Sequence, residues 1–371
     1  MLKDGTRAYI AGFDGLRAIA ALAVIGFHLR IPGFSLGWFG ICLFFVLSGF
    51  LITGILLDAK GNSAYFRTFY WRRALRIFPI YYLVFCVLMV WTLLRAREPI
   101  TDWPWFAFYL QNWLLAQTHF NPNFLRSFDH TWSLACEEQF YLLWPAVIYW
   151  SRRKALLYIV IGLILLGPAS RALVILETQN SSAVFAPLPC IADMLAWGAL
   201  AQLVVREVSK TGPFSRIAPG MCIALGTVMM LMAFHRGLSA FWDPDNHLRD
   251  LSGGVLFFGL WGPLGATILI TVYFGSRLSK ALEFPLLRYL GRISYGLYLY
   301  HFPILLLLRP RLLALGLDSL TRAAVIFLLT LITSIVSFEF FERLFLRMKE
   351  RPMQRTQFRE VYGNWLIPFG R

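Results

Sequence analysis

The sequence predicts an all-α fold: a multi-pass transmembrane helical bundle of about ten spans, one short interfacial or re-entrant helix, and both termini cytoplasmic. Three observations carry this expectation. Hydrophobic residues fill 58% of the 371 positions and charged residues only 15%, a balance foreign to a soluble domain. Ten segments are long and apolar enough to cross about 30 Å of hydrocarbon. Lys and Arg gather in alternate short loops between those segments, as the positive-inside rule requires.

The first span, 14 to 31, carries Arg17 and His28 where a lipid-facing helix should carry neither. Eleven residues turn through about 1,100°, so both side chains share one helix face about 16 Å apart. Either they form a working site within the membrane, or each snorkels to its own surface. No small-residue cleavage site follows His28, since Arg30 and Pro32 come next, so the segment is expected to remain as a helix. The second span, 36 to 57, contains Ser48 and Gly49, where a small residue permits close helix contact.

The third span, 74 to 94, begins with FYWRRALRIFP, which sets Arg72, Arg73 and Arg76 within about one turn at its cytoplasmic entry. Topology alone accounts for basic residues here. Three arginines without a lysine, however, favour bidentate recognition of phosphate or carboxylate. The stretch 103 to 116 is too short to span and holds Gln111 and Asn112, which suits an interfacial or re-entrant helix.

The fourth span, 131 to 150, opens in HTWSLACEEQFYLLWP, where His130, Ser133, Glu137 and Tyr141 recur at steps of three, four and four and share one stripe. Glu137 lies deep enough to need a cationic partner or a proton. A purely structural ion pair between two helices answers that need as well as a working carboxylate does. Glu138 points elsewhere. Spans five to eight, near 155 to 176, 184 to 205, 217 to 235 and 251 to 274, complete most of the bundle. The ninth, 286 to 308, reads LGRISYGLYLYHFPILLLL, with Ser294, Tyr298 and His301 on one stripe and Pro303 removing a backbone donor beside His301. The tenth covers 320 to 341.

If 103 to 116 does not span, 24 of the 35 Lys and Arg residues face inward, ten face outward, and Arg17 is intramembrane. Treating that segment as a span would invert every later loop against the rule. The net charge of +15 is therefore a topological charge, and nucleic-acid binding is not expected. Five isolated cysteines and six histidines without ligand spacing indicate neither a disulfide framework nor a metal site. Residues 1–345 are expected to form one transmembrane domain, followed by a basic cytoplasmic tail over 346–371. Hydrophilic stretches near 95 to 130 and 236 to 250 face outward, are rich in aromatic and polar residues, and predict a shaped outer pocket.

Histidine, guanidinium and carboxylate groups assembled in one bundle suit group transfer to a hydroxyl. The histidine removes the acceptor proton, an effect worth about 10² to 10⁴ in rate, and a carboxylate orients it. Neither a GxSxG elbow nor a Walker loop is present.

In order, FDGLRAIAALAVIGFH, GWFGICLFFVLSGFLIT, FYWRRALRIFPIYY, HTWSLACEEQFYLLWP, LGRISYGLYLYHFPI and SFEFFERLF resemble the acyltransferase-three family of integral membrane proteins over most of the chain. The resemblance implies an O-acetyltransferase-like enzyme of the bacterial inner membrane. It would take an acyl group, commonly acetyl, from cytoplasmic acyl-coenzyme A and pass it to a hydroxyl on the outer side. Acyl-coenzyme A is then a donor substrate, and no permanently bound cofactor is implied. Family acceptors are mostly sugars of lipopolysaccharide, exopolysaccharide, peptidoglycan or secreted glycolipids. By this similarity His28 is the catalytic histidine, with Arg17 placing the donor and Glu137 orienting histidine or acceptor. Arg72, Arg73 and Arg76 cradle the coenzyme phosphates, and His130, Ser133, Tyr298 and His301 are the candidate substrate-binding groups.

Several departures stand out. Cys42 occupies a position that is often acidic in the family, Cys136 one that is commonly valine, and Leu344 one where proline is frequent. Some relatives also carry an outer hydrolase-like domain. This sequence ends about 30 residues after the tenth span, so the protein is expected to act alone or to hand acyl groups to a separate partner. Membrane lipid, a second copy of the chain and envelope polysaccharide machinery are the other expected partners. The competing reading is a secondary transporter or flippase of a glycolipid or acyl donor, which would use the same buried cations. The lack of an evident internal repeat weighs against it.

Overall fold

The computed structural model describes residues 10–94, 101–118, 126–178, 180–208, 212–243, 246 and 248–348, and every regular element among them is helical. Helices occupy all ten predicted segments: α1 (Ala11–His28), α2 (Gly40–Ala59), α3 (Tyr65–Leu93), α6 (Trp132–Trp150) and α7 (Arg153–Glu177), then α9 (Leu188–Glu207), α10 (Pro213–Arg236), α11 (Trp261–Tyr273), which completes the helical run Leu251–Tyr273, α14 (Ser294–Ala314) and α15 (Ser319–Ser337). Eight of these regions are long and apolar enough to cross a membrane. The other two, α6 and α14, have spanning length, at 19 and 21 residues, and owe their lower hydropathy to polar residues, Glu137, Glu138 and Gln139 in α6 and His301, Arg309 and Arg311 in α14. The protein is thus a multi-pass helical membrane protein. The basic tail lies largely outside the described residues.

Short helices fill the connections: α4 (Trp103–Ala107), α5 (Gln111–Thr118), α8 (Ser181–Phe185), α12 (Arg277–Leu282), α13 (Pro285–Arg292) and α16 (Arg343–Met348). Three expectations of element boundaries are corrected here. The segment from 103 to 116 is two helices, broken near Tyr109, whose φ of 55 is left-handed and interrupts the ladder. Its polar pair turns inward, where Gln111 donates to the Thr131 carbonyl at 3.0 Å and Asn112 donates to the Ala186 carbonyl at 3.3 Å. The ninth predicted span divides at Ile293 into α13 and α14. The third begins nine residues early, at Tyr65, so Arg72, Arg73 and Arg76 lie within the helix rather than at its mouth.

Burial sorts the helices into layers. The apolar window of α2 is 72% buried and that of α10 only 17%, so α2 is central and α10 faces lipid. Close approach at the centre depends on missing side chains. A Cβ on Gly49 of α2 would stand 1.9 Å from the Leu195 carbonyl oxygen of α9, and one on Gly198 would stand 1.9 Å from that of Val46. Small residues permit this backbone contact, which supplies the van der Waals packing that holds helices together in lipid. Gly198→Val is therefore expected to separate α2 from α9 and lower thermal stability in detergent by roughly 2 kcal/mol or more. An unchanged unfolding temperature would contradict that account.

A second contact of this type sets up the site. A Cβ on Gly291 of α13 would stand 1.9 Å from the Asp14 carbonyl oxygen, so α13 lies directly on the first turn of α1.

Arg171, within the fifth predicted span, is buried inside the bundle with Asp193. Its guanidinium makes two parallel bonds to the Asp193 carboxylate, at 2.9 and 2.7 Å, and donates a third to the Cys190 carbonyl at 2.5 Å. The Phe258 ring covers it at 4.9 Å. Gly167 makes room, because a Cβ there would stand 2.4 Å from the Asp193 carboxyl.

Candidate active site

The polar residues singled out from sequence come together in two groups joined by α1 and α6, called inner and outer here after the topology expected from the sequence. The inner group surrounds Arg17. Asp14, one turn earlier on α1, is buried and pairs with Arg17 at 2.9 Å. That spacing of three residues places both groups on one side of the helix. Arg76 of α3 interacts electrostatically with Arg17, Arg73 and Asp14, yet it stays accessible. Arg73 covers the Tyr141 ring at 4.4 Å and lies within electrostatic reach of Glu137 and Glu138. Arg72 is half-buried on the same helix.

Glu137 joins this inner group. Its Oε1 accepts from Ser48 Oγ of α2 at 2.5 Å, which uses the serine proton, so Tyr141 Oη donates to Ser48 Oγ at 2.9 Å. Glu137, expected to orient the histidine or the acceptor, makes no hydrogen bond to a histidine among the described residues. The stripe on α6 divides instead. Its inner half, Glu137 and Tyr141, turns to α2, and its outer half, His130 and Ser133, turns to α14.

The outer group is built on three imidazoles. His28 Nδ1 lies 3.1 Å from His301 Nε2, and His301 Nδ1 lies 2.5 Å from the Tyr298 carbonyl oxygen. Tyr298 Oη donates to the His130 carbonyl at 2.6 Å, so Ser133 Oγ, 2.7 Å away, donates to Tyr298. The His130 ring stands 5.1 Å from that of His301, and Phe302 contacts both His28 and His130, at 5.0 and 5.2 Å. Exposure separates their roles. His301 and His130 are 2% and 4% exposed, whereas His28 keeps an accessible edge. Neither ring nitrogen of His130 finds a hydrogen-bond partner among the described residues. Ser294 is buried one turn below Tyr298.

Along α1 the inner and outer groups are eleven residues, about 16 Å, apart. Chemically the inner end can hold anionic oxygen and the outer end can accept a proton. Among the described residues no group of three His, Cys, Asp or Glu side chains is arranged to hold a metal ion. Two features escaped the sequence reading. Asp14 was legible in the i, i+3 spacing with Arg17. The pair formed by Arg171 and Asp193 is close enough to Cys42 to interact with it electrostatically, so a carboxylate from α9 stands near the position where an acid is often found.

The family described as acyltransferase domain matches residues 10–339. The peptidoglycan O-acetyltransferase OatA of Listeria monocytogenes is 33% identical over 364 residues, covering 91% of this chain and 56% of that protein. The O-acetyltransferase OatA of Staphylococcus aureus is 31% identical over 325 residues, covering 80% of this chain and 51% of that protein. The chain thus spans about half the length of the curated relatives it matches. No solved structure matches.

Proposed function

The chain belongs to the acyltransferase-three family, and on that premise we propose that it is a membrane O-acetyltransferase that moves an acetyl group to a hydroxyl of an envelope glycan. The acceptor class follows the names of its relatives, of which the Listeria protein is called a peptidoglycan O-acetyltransferase. The donor is cytoplasmic acetyl-coenzyme A, and the setting is the bacterial inner membrane. One observation carries the reading: His28, the accessible member of a buried imidazole cluster, shares a helix face with the cation group around Arg17.

In this reading Arg72, Arg73 and Arg76 hold the coenzyme phosphates, where guanidinium groups give strong charge-assisted bonds. Arg17, fixed by Asp14, continues that field toward the thioester. The pantetheine arm runs along α1 and delivers the acyl carbonyl to His28. Glu137, held by Ser48, keeps Arg73 oriented. His28 takes the acceptor hydroxyl proton while the oxygen forms its bond to the acyl carbon. The carbon–sulfur bond breaks, and the proton passes from the imidazolium to the departing thiolate. His130, with both ring nitrogens unpaired, is available to hydrogen-bond the acceptor sugar, and Ser133 and Tyr298 position it.

The test is release of free coenzyme A from acetyl-coenzyme A by purified protein in the presence of peptidoglycan fragments. A transporter would release none. For Arg73→Ala we expect KM for the donor to rise about tenfold or more with kcat nearly unchanged, the pattern of lost ground-state binding. An unchanged KM would remove the phosphate role from Arg73.

A further inference from the structure

Hydrogen-bond polarity around His301 fixes more than its position. A backbone carbonyl can only accept, so at 2.5 Å from the Tyr298 oxygen His301 Nδ1 carries its hydrogen. The alternative would set a bare nitrogen lone pair against a carbonyl oxygen at that distance. His301 is 2% exposed, and no carboxylate pairs with it among the described residues, so it is a neutral imidazole with a single N–H. Its Nε2 is therefore a bare acceptor. That nitrogen faces His28 Nδ1 at 3.1 Å, and the contact is a hydrogen bond only if His28 donates.

We propose that His301, anchored on the Tyr298 carbonyl, is a positioning residue that locks His28 in the Nδ1–H tautomer and leaves His28 Nε2 as the basic atom. The catalytic consequence rests on the acyl-transfer reading above; the tautomer does not. A neutral imidazole left alone divides between two tautomers, and the wrong one presents N–H to a hydroxyl whose proton it should accept. With the lock, the acceptor O–H bond breaks toward His28 Nε2 as the oxygen electron pair forms the new C–O bond. The imidazolium then has both N–H groups placed: Nδ1–H on His301 Nε2, and Nε2–H toward the thiolate released when the thioester C–S bond breaks. His301 neither gains nor loses a proton. The relation is that of a serine-protease histidine to its orienting group, with an imidazole and a main-chain carbonyl in place of the carboxylate.

Nitrogen-15 spectra of the full protein in lipid nanodiscs, labelled at histidine, test this directly. The His28 signals are those lost in His28→Asn. In the wild type, His28 Nδ1 is expected at the protonated position and Nε2 at the bare position. In His301→Leu the His28 signals should move toward a tautomer average, and kcat should fall on the order of 10²-fold, less than the ~10⁴ that an enforced wrong tautomer costs. His301→Gln, whose side-chain oxygen can accept from His28, should restore both the signals and most of the rate. A protonated Nε2 on wild-type His28, signals unmoved in His301→Leu, or a His301→Gln protein as slow as His301→Leu would each overturn the proposal. Should His28→Asn itself turn over normally, the acyl-transfer reading fails, while the wild-type spectrum still decides the tautomer. Because the wild-type and glutamine proteins carry the test, it survives a leucine variant that does not fold.

Discussion

His28→Ala is expected to lower coenzyme A release from acetyl-coenzyme A by about 10² to 10⁴, the usual worth of a general base, while the protein stays folded. The structure gives reasons for both halves of that expectation. His28 is the last residue of α1 and keeps an accessible edge, so its removal leaves no buried donor stranded on its outer side. On the inner side only His301 Nε2 loses a partner. The substitution therefore bears mainly on the chemistry. Because the cation group is some 16 Å away along the helix, KM for the donor should change little. Kinetics on purified protein separate these outcomes. A large rise in KM with kcat preserved would make His28 a binding group rather than the base.

The second large effect concerns stability, and it comes from the pair formed by Arg171 and Asp193. Both are essentially inaccessible, and two parallel bonds join them. Replacing one partner leaves an uncompensated charge inside the bundle, which typically costs about 3 to 5 kcal/mol. Arg171→Met and Asp193→Leu should each sharply reduce the unfolding temperature and the yield of folded protein. The double variant should recover most of the loss, since apolar groups of similar volume replace a buried pair at small net cost. Thermal unfolding in one detergent, with all four proteins, provides the cycle. Single variants as stable as the wild type would mean that water reaches the pair.

How much of this was legible in the sequence differs from residue to residue. The shared face of Arg17 and His28 was, because helical rotation is a local property. The stripe of His130, Ser133, Glu137 and Tyr141 was legible for the same reason, and so was the stripe of Ser294, Tyr298 and His301. Partners across helices were not. The meeting of His28 with His301 spans 273 residues and depends on how α1 and α14 pack. Glu137, expected to orient the histidine or the acceptor, bonds Ser48, because α6 turns its inner half toward α2. Arg171 falls within the fifth predicted span, and nothing local to it identifies its partner. The acid in CIADMLAW, deep in the sixth span, was the signal that a buried cation must exist. The break at Ile293 had no proline to announce it. It accompanies the close seat of Gly291 on α1, which is a tertiary contact.

The central claim is that one bundle carries an acyl group from an inner cation site to an outer histidine. Proteoliposomes with acetyl-coenzyme A sealed inside and peptidoglycan fragments only outside test it most directly. The account predicts acetylated glycan outside, dependent on His28, and none when donor and acceptor are both supplied only outside. Acetylated glycan formed with both substrates outside and an empty lumen would contradict transfer across the membrane.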